Sequence, residues 1–213
     1  MPVVTISRQY GSGGSEVAER VARLLGWQLY DNAVLDEVAA RLGISSAQLS
    51  EREERVQSLS ERLASAISLS AQEVMPTIGD ATVPPSEERI VEVTRRVMEE
   101  VSQSGPAVIV GRGVQCIMAT RTDALHVFCY APFESLVAFA MTKHELSADE
   151  AKRQVIEMNA RREAYVKRHW GREWRDVANY HLCVNTGWLG IDHAAELVLE
   201  TARKQWGVAA VSR

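Results

Sequence analysis

Four residues, Val3-Val4-Thr5-Ile6, open the chain as an apolar run. The polar, glycine-rich stretch SRQYGSGGSE follows over 7–16, and then Val17, Val21, Leu24 and Leu25 recur at helical spacing. A continuous apolar run predicts a strand buried on both faces, and a three-to-four-residue recurrence predicts an amphipathic helix. Gly26 is placed to close that helix in a left-handed cap. Trp27 to Tyr30 predicts a second short strand, and Asn32 to Leu42 a helix closed by Gly43. Ser45 with Gln48 resembles a capping box. It would open a charged, serine-rich helical stretch over about 49–75 that projects from the core.

Three prolines and a glycine mark PTIGDATVPPS, residues 76–86, as a loop or hinge. Ser86 is placed to cap a helix running to Ser104, stopped by Gly105-Pro106. The runs AVIVGR and LHVFCYAP predict two more buried strands. Ser147 with Glu150 offers a second capping box, opening a long polar helix through ADEAKRQVIEMNARREAYVKRHWG. The strand HLCVNT and an amphipathic helix from about Asp192 to Gln205 finish the chain. Strands separated by helices imply an α/β fold with a parallel sheet covered on both faces.

A chain of 213 residues fits one α/β domain carrying a small lid or insertion. With 24 Lys+Arg against 28 Asp+Glu, the net charge of -4 gives no overall basic field to recruit nucleic acid or an acidic membrane. Anion binding must therefore be local. Cys116, Cys129 and Cys183 lie far apart and suggest neither a disulfide framework nor a metal motif. They read as core thiols of a reduced, cytoplasmic protein. No apolar stretch reaches the ~18 residues of a membrane span, and the amino terminus lacks signal-peptide character. The five histidines show no metal-ligand spacing.

Candidate chemistry starts with the glycine loop. Phosphate binding at a strand-to-helix turn needs glycines that let the backbone curl, amides aimed inward and the positive end of a helix dipole. Gly11, Ser12, Gly13, Gly14 and Ser15 match the G-x-x-x-x-G-K-[ST] pattern in part. Gly13 is the last glycine, Gly14 stands at the lysine, Ser15 at the hydroxyl and Arg8 at the first glycine. On the residues alone, this is either a phosphate cradle or a tight turn packing helix on sheet. Arg112 directly follows an apolar strand, at the carboxyl edge where α/β ligands bind. Asp31, after the second strand, either orients a nucleotide or caps the next helix.

The runs VTISRQYGSGGSEVAERVARLLGWQLYD, AVIVGRG, LHVFCYAP, NARREAY and NYHLCVNT, in that order, resemble the cytidylate kinase-like family, relatives of bacterial cytidylate kinases. The resemblance implies a P-loop nucleoside monophosphate kinase fold: a three-layer core with a parallel sheet, a helical insert that helps enclose the monophosphate, and a mobile helical lid. All of 1–213 would form one domain, with core 1–44, 87–146 and 178–213, insert about 45–86 and lid about 147–177. It implies ATP as phosphoryl donor at residues 11–15, with Mg2+ held by Ser15, and a nucleoside monophosphate, CMP or dCMP first, as acceptor. Arg112 would hold the acceptor phosphate, with Asp31 and Asn159 in the acceptor site. Arg162, with Arg161 beside it, would approach the transferred group, and Arg8 would partly replace the missing lysine.

Three positions depart from cytidylate kinases and a fourth from their cytidylate kinase-like relatives. Gly14 replaces the loop lysine. Ser15 stands where many cytidylate kinase-like relatives have arginine, and Gly113 and Asn159 occupy the aspartate positions of G-R-D and D-x-x-R. The strand AVIVG also ends without a metal-binding acid. A nucleotide sensor without efficient transfer, or a kinase for another small molecule, is equally compatible with these changes. Neither nucleic acid nor a membrane is expected as partner, and a homo-oligomer is left open.

Overall fold

The computed structural model describes residues 1–43, 45 and 86–207. The expected insert over about 45–86 lies outside these, apart from Ser45 and Ser86, as does Gln48 of the first capping box. Among the described residues, five strands form one parallel sheet: β1 (Val3–Arg8), β2 (Gln28–Tyr30), β3 (Ala107–Val110), β4 (Ala124–Tyr130) and β5 (Leu182–Asn185). Their order is β2-β3-β1-β4-β5.

β1 is the centre of this order, with Val3 opposite both Ala107 and Ala124. Successive side chains of a strand alternate between faces, and here each face is sealed by helices. Val4 and Ile6 pack with α1 (Gly14–Leu25) and the last helix, α7 (Thr186–Trp206). Val3 packs, with Ile109 of β3, against α2 (Asn32–Leu42) and α3 (Glu87–Ser104). This two-sided burial is why the strands read as unbroken apolar runs. It also brings the carboxyl ends of β1, β3 and β4 together, at Arg8, Gly111 and Cys129.

Local signals set most boundaries. Ser86 Oγ accepts from Arg89 N–H at 3.3 Å and starts α3, and Ser147 and Glu150 form a reciprocal capping box at the head of α6 (Ala148–Trp170). Two helices escape the sequence pattern: α4 (Val114–Ile117) is a single turn, and α5 (Phe133–His144) lacks a clean polar stripe. α7 starts at Thr186, not at Asp192, because Asn185 Oδ1 accepts from Trp188 N–H and opens an extra turn. Gly190, at φ 74°, ψ 169°, separates that turn from the main helix.

One buried titratable group couples this core to pH. His126 on β4 is 4% exposed, shares a hydrogen bond between Nδ1 and the Thr5 hydroxyl at 2.8 Å and stacks on His181 at 4.9 Å. Burial, reinforced by the His181 ring, pushes its pKa down to about 4. Unfolded histidine titrates near 6.5, so between the two values the unfolded chain binds the proton and the folded chain does not. Stability from this site is complete above pH ~6.5 and is lost as pH falls to about 4, by an amount on the order of 3 kcal/mol. Urea unfolding of the parent and His126→Asn from pH 7.5 to 4 checks this. The variant should lose the part of the slope due to one proton, and parallel profiles would contradict it.

Candidate active site

β1 hands the chain to the glycine loop through main-chain contacts with β4: Gln9 N–H donates to Cys129 O at 3.0 Å. The Ser12 hydroxyl turns back onto Gln9 O at 2.8 Å. Gly11 has φ +82°, and a Cβ there would lie 2.3 Å from the main-chain oxygen of Leu136, so only glycine fits between loop and α5. α1 begins at Gly14 on an N-cap, Gly13, that provides no side-chain hydrogen bond. Its first-turn amides therefore have no side-chain cap, although the first turn carries the carboxylate of Glu16.

The lysine position is closed for a steric reason. A Cβ on Gly14 would fall 2.4 Å from Arg8 Cβ and 3.0 Å from both Arg8 Cγ and Cys129 Cβ. The stem of Arg8 occupies the space that a side chain at 14 would enter. Its guanidinium continues toward β3, where a Cβ on Gly111 would meet Nη1 at 2.1 Å, and Nη2 reaches Asp31 Oδ1 at 3.4 Å. Burial lowers the Arg8 pKa and neighbouring Arg112 adds to that, while Asp31 opposes it. The group stays cationic at neutral pH, as arginine does in proteins. Asp31 also accepts from Ser15 Oγ on Oδ2, at 3.3 Å.

After β3 the backbone stays left-handed for three residues: Gly111 (φ 78°), Arg112 (φ 51°) and Gly113 (φ 68°). Holding a non-glycine residue there costs on the order of 1–2 kcal/mol, and such strain clusters at functional sites. Gly113 is as constrained as Gly111, since a Cβ on it would lie 2.4 Å from the Trp170 ring. The place of the cytidylate kinase aspartate is thus filled by an indole. Trp170 ends α6 and packs edge-on against Tyr165 at 5.4 Å. Just before it, Arg168 and His169 hold Glu87 at 2.8 and 3.1 Å, joining the end of α6 to the start of α3.

The expected lid helix, α6, is tied to the loop along its middle. Asn159 Oδ1 accepts from Tyr10 N–H at 2.7 Å, and Gln154 Oε1 from the Tyr10 hydroxyl at 2.6 Å. Arg162 donates to the main-chain oxygen of Arg8 at 2.7 Å, with its guanidinium carbon 6.0 Å from the Tyr10 ring centre. Arg161 pairs with Glu157 one turn earlier.

Together these elements enclose a pocket between the carboxyl ends of β1 and β3 and the inner face of α6. Arg8, Arg112, Arg161 and Arg162 line it, with Ser7, Met158, Tyr165 and Trp174. Its lining includes no carboxylate among the described residues. Four guanidinium groups on one pocket, among them Arg8 paired with Asp31 and Arg161 with Glu157, suit a multiply charged anion, which planar guanidinium grips bidentately.

The structure therefore brings together the four arginines expected from sequence. Gly11 to Ser15 and Asp31 do not line this pocket. Ser15 and Asp31 are joined to each other and, through Asp31, to Arg8. Asn159 is 4% exposed and faces Tyr10. Tyr10, Tyr165 and Trp170 complete the surroundings, and no local pattern in the sequence points to them. No group of three or more His, Cys, Asp or Glu that could hold a metal occurs among the described residues, and no described helix is long and apolar enough to cross a membrane.

Residues 3–187 match the cytidylate kinase-like family. No match is found among curated proteins. The fold is similar to an uncharacterised protein from Eubacterium ventriosum, with TM-score 0.69 and 18% identity, covering 95% of this chain and 98% of that one. It is also similar to shikimate kinase from Acinetobacter baumannii in complex with shikimate, with TM-score 0.52 and 12% identity over 97% and 95% of the two chains. Shikimate kinase from Bacteroides thetaiotaomicron has TM-score 0.51 and 13% identity over 94% and 97%. These similarities show a P-loop kinase fold.

The anchoring of α6 can be tested on its buried amide. Asn159→Ala leaves the Tyr10 N–H without its acceptor, at a cost of about 1–3 kcal/mol. Thermal unfolding should show a midpoint lowered by several degrees, and an unchanged midpoint would contradict the anchoring role.

Proposed function

This chain belongs to the cytidylate kinase-like family, and from that premise we propose that it transfers the γ-phosphoryl group of ATP to a small phosphorylated acceptor, CMP or dCMP being the first to try. The family and the kinase fold support a kinase-like function on a nucleotide or small molecule. The observation that carries the finer reading is the convergence of Arg8 from β1, Arg112 from the turn after β3, and Arg161 and Arg162 from α6 on one pocket.

Phosphoryl transfer asks a protein to align donor and acceptor and to neutralise charge spread over the moving group. In this reading the amides of Gly11 to Ser15 receive the donor phosphates at the α1 terminus. Arg8 lies beside them where a lysine side chain would otherwise run. Arg112 holds the acceptor phosphate, and Arg162, fixed by its bond to Arg8 O, bridges toward the transferred group. An acceptor phosphate oxygen attacks the γ-phosphorus as the bond to the ADP oxygen breaks. The acceptor is already ionised, so no general base is required. The Ser15 hydroxyl would help to hold the Mg2+ that accompanies ATP, which would supply further charge neutralisation.

One observation favours a rival, nucleotide binding without transfer: residue 14 has no room for a lysine unless Arg8 moves. Turnover separates the two. ADP release from ATP and Mg2+ is measured with a panel of nucleoside monophosphates and small hydroxy acids, alongside ATP binding. Release with one acceptor supports the kinase, and binding without release across the panel supports the sensor. In an active enzyme, Arg162→Ala should lower kcat by a factor of about 10³ with acceptor KM changed only a few-fold. Arg112→Ala should instead raise acceptor KM by about tenfold or more. Equal single-turnover rates for Arg162→Ala and parent would remove Arg162 from the transfer step.

A further inference from the structure

Arg112 brings its guanidinium to the pocket from a backbone conformation that arginine seldom adopts. Val114 N–H donates to Gly111 O at 3.0 Å, so residues 111–114 form a tight turn whose two central residues, Arg112 and Gly113, both have positive φ. A turn of that hand ordinarily takes asparagine, aspartate or glycine at its first central position. We infer that Trp170 locks this turn and, through it, sets the Arg112 guanidinium in the pocket. Trp170 is then a positioning residue, since it does not itself line the pocket. The inference rests on the reading of Arg112 as an anion-holding residue given above.

The contact is made by one edge of the indole. A Cβ on Gly113 would lie 2.4, 2.6 and 2.9 Å from Cζ3, Cη2 and Cε3 of Trp170, so the outer edge of the six-membered ring fills the place of a side chain at 113. Both ends of the turn are anchored: Gly111 N–H donates to Ile6 O at 3.0 Å, and the N–H groups of Cys116 and Ile117 donate to Gly113 O at 2.8 and 3.1 Å. A change of φ at Arg112 must then swing the peptide units of 112 and 113 between those anchors. The indole, packed directly against Gly113, blocks that swing.

The indole is itself held in place. It meets Tyr165 edge-on at 5.4 Å and His169 at 5.7 Å, and those two rings meet each other at 4.8 Å. Glu87, at the start of α3, takes Arg168 at 2.8 Å and His169 Nε2 at 3.1 Å, and so fixes the end of α6 that carries Trp170. Tyr165 lines the pocket beside Arg112, so the ring cluster reaches the anion site through these two residues. A carboxylate at 113 would bring charge to Arg112, whereas the indole constrains by packing and brings none.

Calorimetric binding of inorganic pyrophosphate to the full chain tests this in the parent, Trp170→Ala, Arg112→Ala and the double variant. Trp170→Ala should weaken binding about tenfold, and Arg112→Ala by as much or more. Because Trp170 acts through Arg112, the losses should not add: in the Arg112→Ala background, Trp170→Ala should change affinity by less than about twofold. Should Trp170→Ala fail to fold, as circular dichroism would show, Trp170→Leu, which keeps apolar bulk without the ring edge, takes its place in the cycle. Additive losses, or a folded Trp170 variant that binds as tightly as the parent, overturn the positioning role while the reading of Arg112 stands. Parental affinity in Arg112→Ala overturns that reading and the inference with it, as does a parent that binds no pyrophosphate. The cycle needs no turnover, so a chain that binds pyrophosphate as expected but releases no ADP with any acceptor fails as a kinase and leaves the role of Trp170 supported.

Discussion

Everything at this site depends on how closely helix α1 approaches strand β1. The Cα of Gly14 rests on the aliphatic stem of Arg8, and a single added carbon at 14 would collide with it at 2.4 Å. That contact closes the usual route for a loop lysine and at the same time fixes a cation from the preceding strand. The guanidinium it directs has its own requirement, since Gly111 must lack a side chain for Nη1 to fit. Gly14 and Gly111 are thus two faces of one slot for Arg8.

The surrounding packing keeps the slot shut. β1 is the central strand, buried through Ser7, so Arg8 emerges with little freedom between the ends of β3 and β4. α6 closes the outer side, bonded to Arg8 O by Arg162 and to Tyr10 by Asn159 and Gln154. Partly buried bonds of this kind each contribute about 0.5–1.5 kcal/mol, more where one partner is charged. Together they hold α6 against the loop and set its arginines opposite Arg8 and Arg112. Like charges so gathered repel, and Asp31 paired with Arg8 and Glu157 paired with Arg161 offset part of that repulsion. A bound polyanion would add compensating charge at a pocket of this kind.

Much of the fold was legible in the chain. Buried parallel strands leave continuous apolar runs, and Ser86, Ser147, Gly26 and Gly43 mark helix ends by local chemistry that needs no tertiary contact. α5 was not legible because its faces are not clearly divided into apolar and polar, and the leading turn of α7 depends on the cap by Asn185 and the break at Gly190. Arg8, Arg112, Arg161 and Arg162 could be named from motif order, but not the reasons for the glycines around them. That Gly113 yields its space to Trp170, 57 residues further on, is a long-range packing fact with no local trace. Asp31 was ambiguous for a similar reason: an aspartate before a helix looks like a cap, and only its contacts with Arg8 and Ser15 show otherwise.

The proposal that a strand-borne arginine takes the part of a helix-borne lysine is tested most directly by calorimetric ATP binding to Arg8→Met, which keeps much of the stem packed on Gly14 but removes the charge. AMP, which has no β- or γ-phosphate, serves as control. If Arg8 is the cation of the glycine loop, ATP affinity falls by about tenfold or more while AMP affinity changes little. ATP affinity equal to that of the parent in a folded Arg8→Met protein would contradict it.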